Sequence, residues 1–310
     1  MFSNLLWALV FGLVIAAGVG YLAQWAGICM VRGVRELQAG RPALLLAIVF
    51  CGVWTWTTVP LGSWLGIDVP VRRYPVAPIF ALGGFVFGLG SAFNSGCAVS
   101  TMSKLAKGNA HMLMTMAGWI IGWCAWMFFQ PFTATPMMTS VPRGATYILV
   151  GLSIGLTVWG LTTTPERRRI WLGIMTFGFL AGLLFLLEPH WSPSDMVLDL
   201  STLALGENTA PPPSPYRYAL ILMILLGMLI AAWRAHSFRL QPIELQKLGL
   251  HLGAGALMGV GASMSLGGND AQLLTALPAF SPAGILTVAF IVVGVLAGIW
   301  LQNLLAKNQS

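Results

Sequence analysis

The sequence predicts an all-α polytopic membrane protein: about nine transmembrane helices in two similar halves, with short broken helices meeting at the centre. Three observations predict it. Hydrophobic residues make up 57% of the 310-residue chain and charged residues 8%, where soluble domains are about one quarter charged. Apolar runs of about 20 residues, the length a helix needs to cross roughly 30 Å of hydrocarbon, recur from end to end. Two of those runs are interrupted by glycine and polar residues at corresponding places. The runs must be helices, because lipid offers an exposed backbone no hydrogen-bond partner.

In chain order the expected spans are 4–27, 42–66, 76–93, 112–129, 144–161, 170–187, 218–233, 249–264 and 282–305. The first has no basic residues ahead of it and is followed by further spans, so it reads as a retained helix rather than a cleaved signal. The formal charge of +7 would suggest nucleic acid in a soluble chain. Here the positive residues sit in short loops between apolar runs, so they report topology, and the bilayer is the partner. Arg32, Arg35 and Arg41 after the first span, and Arg167, Arg168 and Arg169 before the sixth, mark two cytoplasmic loops. The longest loop, 188–215, carries Glu188, Asp195, Asp199 and Glu207 and ends in a proline run from Pro211 to Pro215. It reads as a stiff, solvated connector facing the periplasm. Alternation then puts the N-terminus outside a bacterial inner membrane and the C-terminus, with Lys307, inside. Arg72 and Arg73 fall on the outer side, against the rule.

Cys29, Cys51, Cys97 and Cys124 show neither metal-ligand spacing nor a disulfide framework. The chain has no nucleotide-binding loop, no His-Glu metalloprotease spacing and no nucleophile elbow in a suitable context. No enzyme and no cofactor are therefore expected. The 36 glycines, as at Gly84, Gly88 and Gly90 or Gly253, Gly255, Gly259 and Gly261, read as small helix faces that let backbones pack closely.

Two internal echoes suggest duplication. Residues 23–37 resemble 231–245, setting Cys29 against Ser237. Gly84, Gly88 and Gly90 ahead of Gly96-Cys97 resemble Gly255, Gly259 and Gly261 ahead of Gly267-Gly268. The expected division is a first repeat over 1–130, connecting helices over 131–187, the loop 188–215 and a second repeat over 216–310. Repeated halves suit a transporter whose site lies between them. By span counting the first echo pairs parallel elements and the second pairs opposed ones.

The first break runs from Ser91 to Cys97, before a short helix from Ala98. The second runs from Ser263 to Asp270. Broken helices inside a membrane persist only against protein or water, and their free N-terminal amides aim partial positive charge at the gap, which favours an anion. Cys97 stands at such a helix start, where its thiol can meet a sulfur-bearing ligand. Asn94, Ser95, Gly96, Gly268 and Asn269 are the candidate donors around it, and Cys29 ends a possible path on the basic side. Lys104 and Lys107 either attract an anion or obey the positive-inside rule. Asp270 caps its helix or moves protons, and His236 and His251 relay protons or lie at the interface.

Trp25-Ala26-Gly27-Ile28-Cys29 with basic residues after it, and Gly88-x-Gly90 running into Ser95-Gly96-Cys97, resemble the YeeE/YedE family of sulfur-transport membrane proteins. The resemblance implies about nine spans, two similar halves and uptake of a small sulfur-containing anion, thiosulfate in the members whose activity is understood. It implies further that Cys97 is the central cysteine of the first half. Where the family often carries Gly-Gly-Cys and Phe-Cys in the second half, this chain has Gly267-Gly268-Asn269 and His236-Ser237. Both departures remove a thiol, which opens the reading to another sulfur or selenium species. Two functions follow: a permease for a sulfur oxyanion with Cys97 contacting it, or a membrane subunit that hands persulfide sulfur to a cytoplasmic sulfur-carrier protein. A structural membrane protein without substrate is the third.

Overall fold

The computed structural model describes residues 2–67, 73–129, 143–206 and 212–308. The expectations at Arg72, Glu207 and Pro211 lie outside the described residues.

Helix α1 (Phe2–Ala26) leads through a turn at Gly27, φ +67°, into the short helix α2 (Met30–Gln38). The second expected span is a chain of three short helices, α3 (Ala43–Val49), α4 (Cys51–Trp56) and α5 (Thr58–Trp64). Next come α6 (Pro78–Phe93), α7 (Ala98–Ala106), α8 (Met112–Phe129), α9 (Arg143–Thr162) and α10 (Pro165–Leu187). They are followed by α11 (Pro193–Ala204), α12 (Pro215–Arg234), α13 (Leu245–Met264), the single turn α14 (Asn269–Ala271), continued as a π turn over Gln272–Ala276, and α15 (Pro282–Lys307). Among the described residues seven helical stretches are long and apolar enough to cross a membrane, eight if the bent pair α13/α14 counts as one span. The remaining expected span corresponds to α9, whose apolar part, Tyr147–Thr162, is shorter. The protein is a multi-pass membrane protein.

Glycines set the packing. A Cβ at Gly84 would stand 2.4 Å from the Thr287 carbonyl, one at Gly88 2.2 Å from that of Ile291, and one at Gly294 2.1 Å from that of Phe85. Helices α6 and α15 thus run parallel at backbone contact. Gly118 against Leu252, Gly122 against Ala256 and Gly259 against Trp119 join α8 and α13 in the same way, also parallel. Gly83 meets Gly261 while Gly90 meets Ala254, so α6 and α13 run antiparallel. Close approach of this kind drives helix association where lipid removes the hydrophobic term.

The ends of the helices sort by charge. The backbone NH groups of Arg239 and Gln241 donate to the carbonyls of Lys107 and Gly108, and Glu244 N donates to His111 Nε2. Arg35 reaches Gln302, and Arg169 lies 4.6 Å over the Trp25 ring. These contacts bring Arg32, Arg35, Lys104, Lys107, Arg167–Arg169, Arg234, Arg239, Lys247 and Lys307 to one face. On the opposite face Tyr74 N bonds Ser281 Oγ and Arg73 bonds the Phe280 carbonyl.

The segment 188–215 differs from its expected form as a solvated connector. It contains α11, with Ser194, Met196 and Ser201 buried. Ser192 caps the helix, its Oγ accepting from Asp195 N at 3.2 Å and donating to Asp195 Oδ2 at 2.7 Å, with Pro193 at the first helical position. Ser-Pro-x-Asp is a helix-start pattern; of the acidic side chains that suggested solvent, Asp195 is the helix's own cap partner and Asp199 pairs with Arg217.

Candidate functional site

The breaks after α6 and α13 are built alike. Ser95 and Leu266, counterparts 171 positions apart along the chain, both take φ +56°. Before them, Asn94 N donates to the Gly90 carbonyl and Ser265 N to that of Gly261. After them, Gly96 N donates to the Ser91 carbonyl and Gly267 N to that of Ala262, each at 2.8 Å. The side chains follow suit: Asn94 Nδ2 donates to the Gly96 carbonyl at 2.9 Å, and Ser265 Oγ to that of Gly267 at 3.1 Å. Each arrangement ends a helix, points two residues at the gap and starts a new helix, capped by Cys97 in one case and Gly268 in the other.

Asn94 is fully buried, and its carboxamide is spoken for. Nδ2 also donates to Thr101 Oγ1 at 2.8 Å, while Oδ1 accepts from Thr115 Oγ1 at 2.7 Å and meets His251 Nδ1 at 2.9 Å. It holds the break together rather than presenting a free donor. Lys104 does the same from α7, reaching back to the carbonyls of Asn94, 3.3 Å, and Ser95, 2.9 Å. These are the carbonyls that the end of α6 leaves without helical partners.

Cys29 caps α2, its Sγ accepting from Arg32 N at 3.5 Å. Cys97 caps α7, with Ser100 Oγ 3.6 Å from its Sγ. The two thiols are close enough to interact with each other, and Ser100 lies near both. Cys97 is 1% exposed; Cys29 is partly exposed. Gln24 of α1 accepts a hydrogen bond from Ser103 of α7 and locks the two helices together beside this pair.

At the second break the partner is α11. Ser194 N donates to Asp270 Oδ2 at 3.0 Å, Ser194 Oγ bonds Asp270 Oδ1, and Gly268 N donates to Ser194 Oγ at 2.9 Å. Gln272 Nε2 donates to the Ser265 carbonyl at 2.7 Å. Asn269 is buried, its Oδ1 without a partner among the described residues. Helix α14 touches both α11 and α7, so the two breaks adjoin.

The structure therefore brings Cys29, Gly96 and Cys97 together, and sets Gly268 and Asn269 across from them. Ser95 lies exposed beside them. Ser237 stands apart in kind: it follows the end of α12, its Oγ donating to the Ala232 carbonyl at 3.1 Å, and the stretch after it is not helical until Leu245, so it starts no helix as Cys29 does. Ser100, Ser194 and Arg217 belong to the site region and escaped the sequence reading. Ser194 was legible in the Ser-Pro-Ser-Asp helix start; Ser100, one turn beyond Cys97, was legible once that cysteine was set at a helix start. On the basic face, Lys247 beside Glu244 holds its carboxyl below the usual range.

Residues 25–170 match the profile of the sulphur transport family, and residues 140–297 match it again. The chain belongs to that family. The second match starts before the first one ends, the overlap covering α9 and the start of α10. Among curated proteins the chain is 24% identical over 343 aligned positions to the thiosulfate transporter TsuA of Escherichia coli (strain K12), spanning 94% of this chain and 93% of that relative.

Proposed function

We propose that this family member carries a small sulfur oxyanion, thiosulfate first among them, along a path on which the Cys29 and Cys97 thiols contact it. The observation that carries the reading is the thiol pair. Each sulfur stands at the start of a short helix, α2 or α7, and the two are within reach of one another. Helix starts supply partial positive charge without a fixed ion. S–H groups supply weak neutral donors suited to a sulfur terminus. Such a site binds well enough to admit an anion and weakly enough to release it. An ion reaching Cys97 has left bulk water behind, where each donor counts for more.

The basic face is the cytoplasmic one on this reading, by the positive-inside rule. The N-terminus is then periplasmic and the C-terminus cytoplasmic, in the inner membrane. The two family matches, with the likeness of the two breaks, support a repeat of α1–α8 by α10–α15. Helix α9 is then the link, and α6/α13 and α8/α15 are opposed counterparts.

Uptake of thiosulfate labelled in its outer sulfur into proteoliposomes tests the function. C97A and C29A are expected to lower the rate at least tenfold, whereas C51A, a buried packing residue, leaves it near that of the parent. Parent-like uptake by C97A would end the thiol role. A persulfide trapped on either cysteine during turnover would favour hand-over to a cytoplasmic sulfur-carrier protein instead.

A further inference from the structure

A cavity of about 480 Å³ opens on the face opposite the basic cluster, between α5, the end of α10, α11, the start of α12 and the second break. Arg217, in the first turn of α12, lines it. Arg217 is 9% exposed. Its Nη1 is bound to Asp199, while Nε and Nη2 are buried with no hydrogen-bond partner among the described residues. A buried charged donor left without an acceptor is costly and therefore rare in a settled structure. Of the wall's carboxylates, Asp199 is paired with Arg217 and Asp195 accepts from the Ser192 hydroxyl, and His190 lies beside them. From Arg217 the cavity extends to Ser265, Gln272 and Thr275, neutral side chains at the second break.

Resting on the transport reading, we propose that this cavity is the first oxyanion station on the path, with Arg217 Nε and Nη2 gripping two oxygens of the ion and Asp199 fixing the guanidinium's orientation. The planar fork of Arg matches two oxygens of one tetrahedral centre, which an ammonium cannot do. The start of α12, capped by Ser214, adds its partial positive charge at the same point. The chemistry recognised is the oxygen face that thiosulfate shares with sulfate and sulfite. Discrimination among them falls to the thiols further on.

Equilibrium binding of thiosulfate and, separately, of sulfate to the purified full-length protein at fixed ionic strength tests the station. The parent, R217K and the double variant R217Q/D199N are compared, the double variant removing both charges so that no carboxylate is stranded. The double variant is expected to bind both ions about tenfold or more weakly, and R217K several-fold more weakly. In proteoliposomes the same changes raise KM with little effect on the maximal rate. Loss of uptake by C97A together with parent-like binding by a folded R217Q/D199N would leave the thiol contact standing and remove this station, so the two readings fail separately. Parent-like binding by a folded R217Q/D199N overturns the proposal. If that variant does not fold, parent-like binding by R217K overturns it. A parent that binds neither oxyanion beyond an ionic-strength effect overturns it as well, whichever way the C97A uptake result falls.

Discussion

Asn94 spends its whole carboxamide on the protein, bonding Gly96, Thr101, Thr115 and His251 from a fully buried position. Truncating it strands donors and acceptors where water cannot replace the loss, at about 1–3 kcal/mol for each group left unsatisfied. N94A is thus expected to lower the thermal unfolding temperature in detergent, whereas exposed Ser95→Ala leaves it near the parent value. The thiol pair makes a second residue-scale prediction. Mild oxidation should join Cys29 to Cys97, seen as a cross-linked peptide in the parent and absent from C29S, with uptake blocked until a reductant is added. The place of Cys97 at a helix start was legible in the sequence because a polar break precedes it and an apolar run follows. Its nearness to Cys29 was not, because two distant helix starts meet only through tertiary packing. Arg217 escaped for a similar reason: in sequence it is one basic residue after a proline run, and its unpaired nitrogens exist only once α11 brings Asp199 to it.

At the scale of elements, the interior is organised by backbone contacts at glycine. G88V would drive a side chain into the Ile291 carbonyl, which lies 2.2 Å from where even a Cβ would stand. Overpacking of this kind costs roughly 1–3 kcal/mol or more. G151A, with nothing within 4 Å of its Cβ position, is expected to be neutral or slightly stabilising, as Ala for Gly in a helix is. Thermal unfolding of the two variants checks the contrast. Helix spans were readable from hydropathy alone, since length and composition fix them. The kinked α3–α5 run and the helix α11 were not, because short helices propped by neighbours leave little trace in apolar periodicity. Of the two echoes, the one joining residues 84–97 to 255–268 corresponds to two breaks with the same backbone bonds. The other aligns the helix α2 with a stretch that is not helical, and with it goes the puzzle of parallel against opposed elements.

For the molecule as a whole, charge asymmetry gives the prediction. Cysteine introduced at Pro212 should react with an impermeant maleimide in intact cells, and one at Gln241 only after the membrane is opened. The reverse pattern would invert the topology. The basic loops at 32–41 and 167–169 revealed this asymmetry in the sequence, and contacts such as Arg239 to Lys107 extend it to loops whose charges are sparse.

Two gaps of one backbone design carry unlike chemistry. One is edged by a pair of soft, polarisable sulfur atoms, the other by hydroxyls and a carboxylate held among Ser194, Gly268 and Asp270. On the transport reading, a traveller with a sulfur tip and an oxygen base would meet soft sulfur at one gap and hydroxyl and amide donors at the other. An ion with four equal oxygens would find nothing to hold a tip, so unequal linings of this kind would favour lopsided ions.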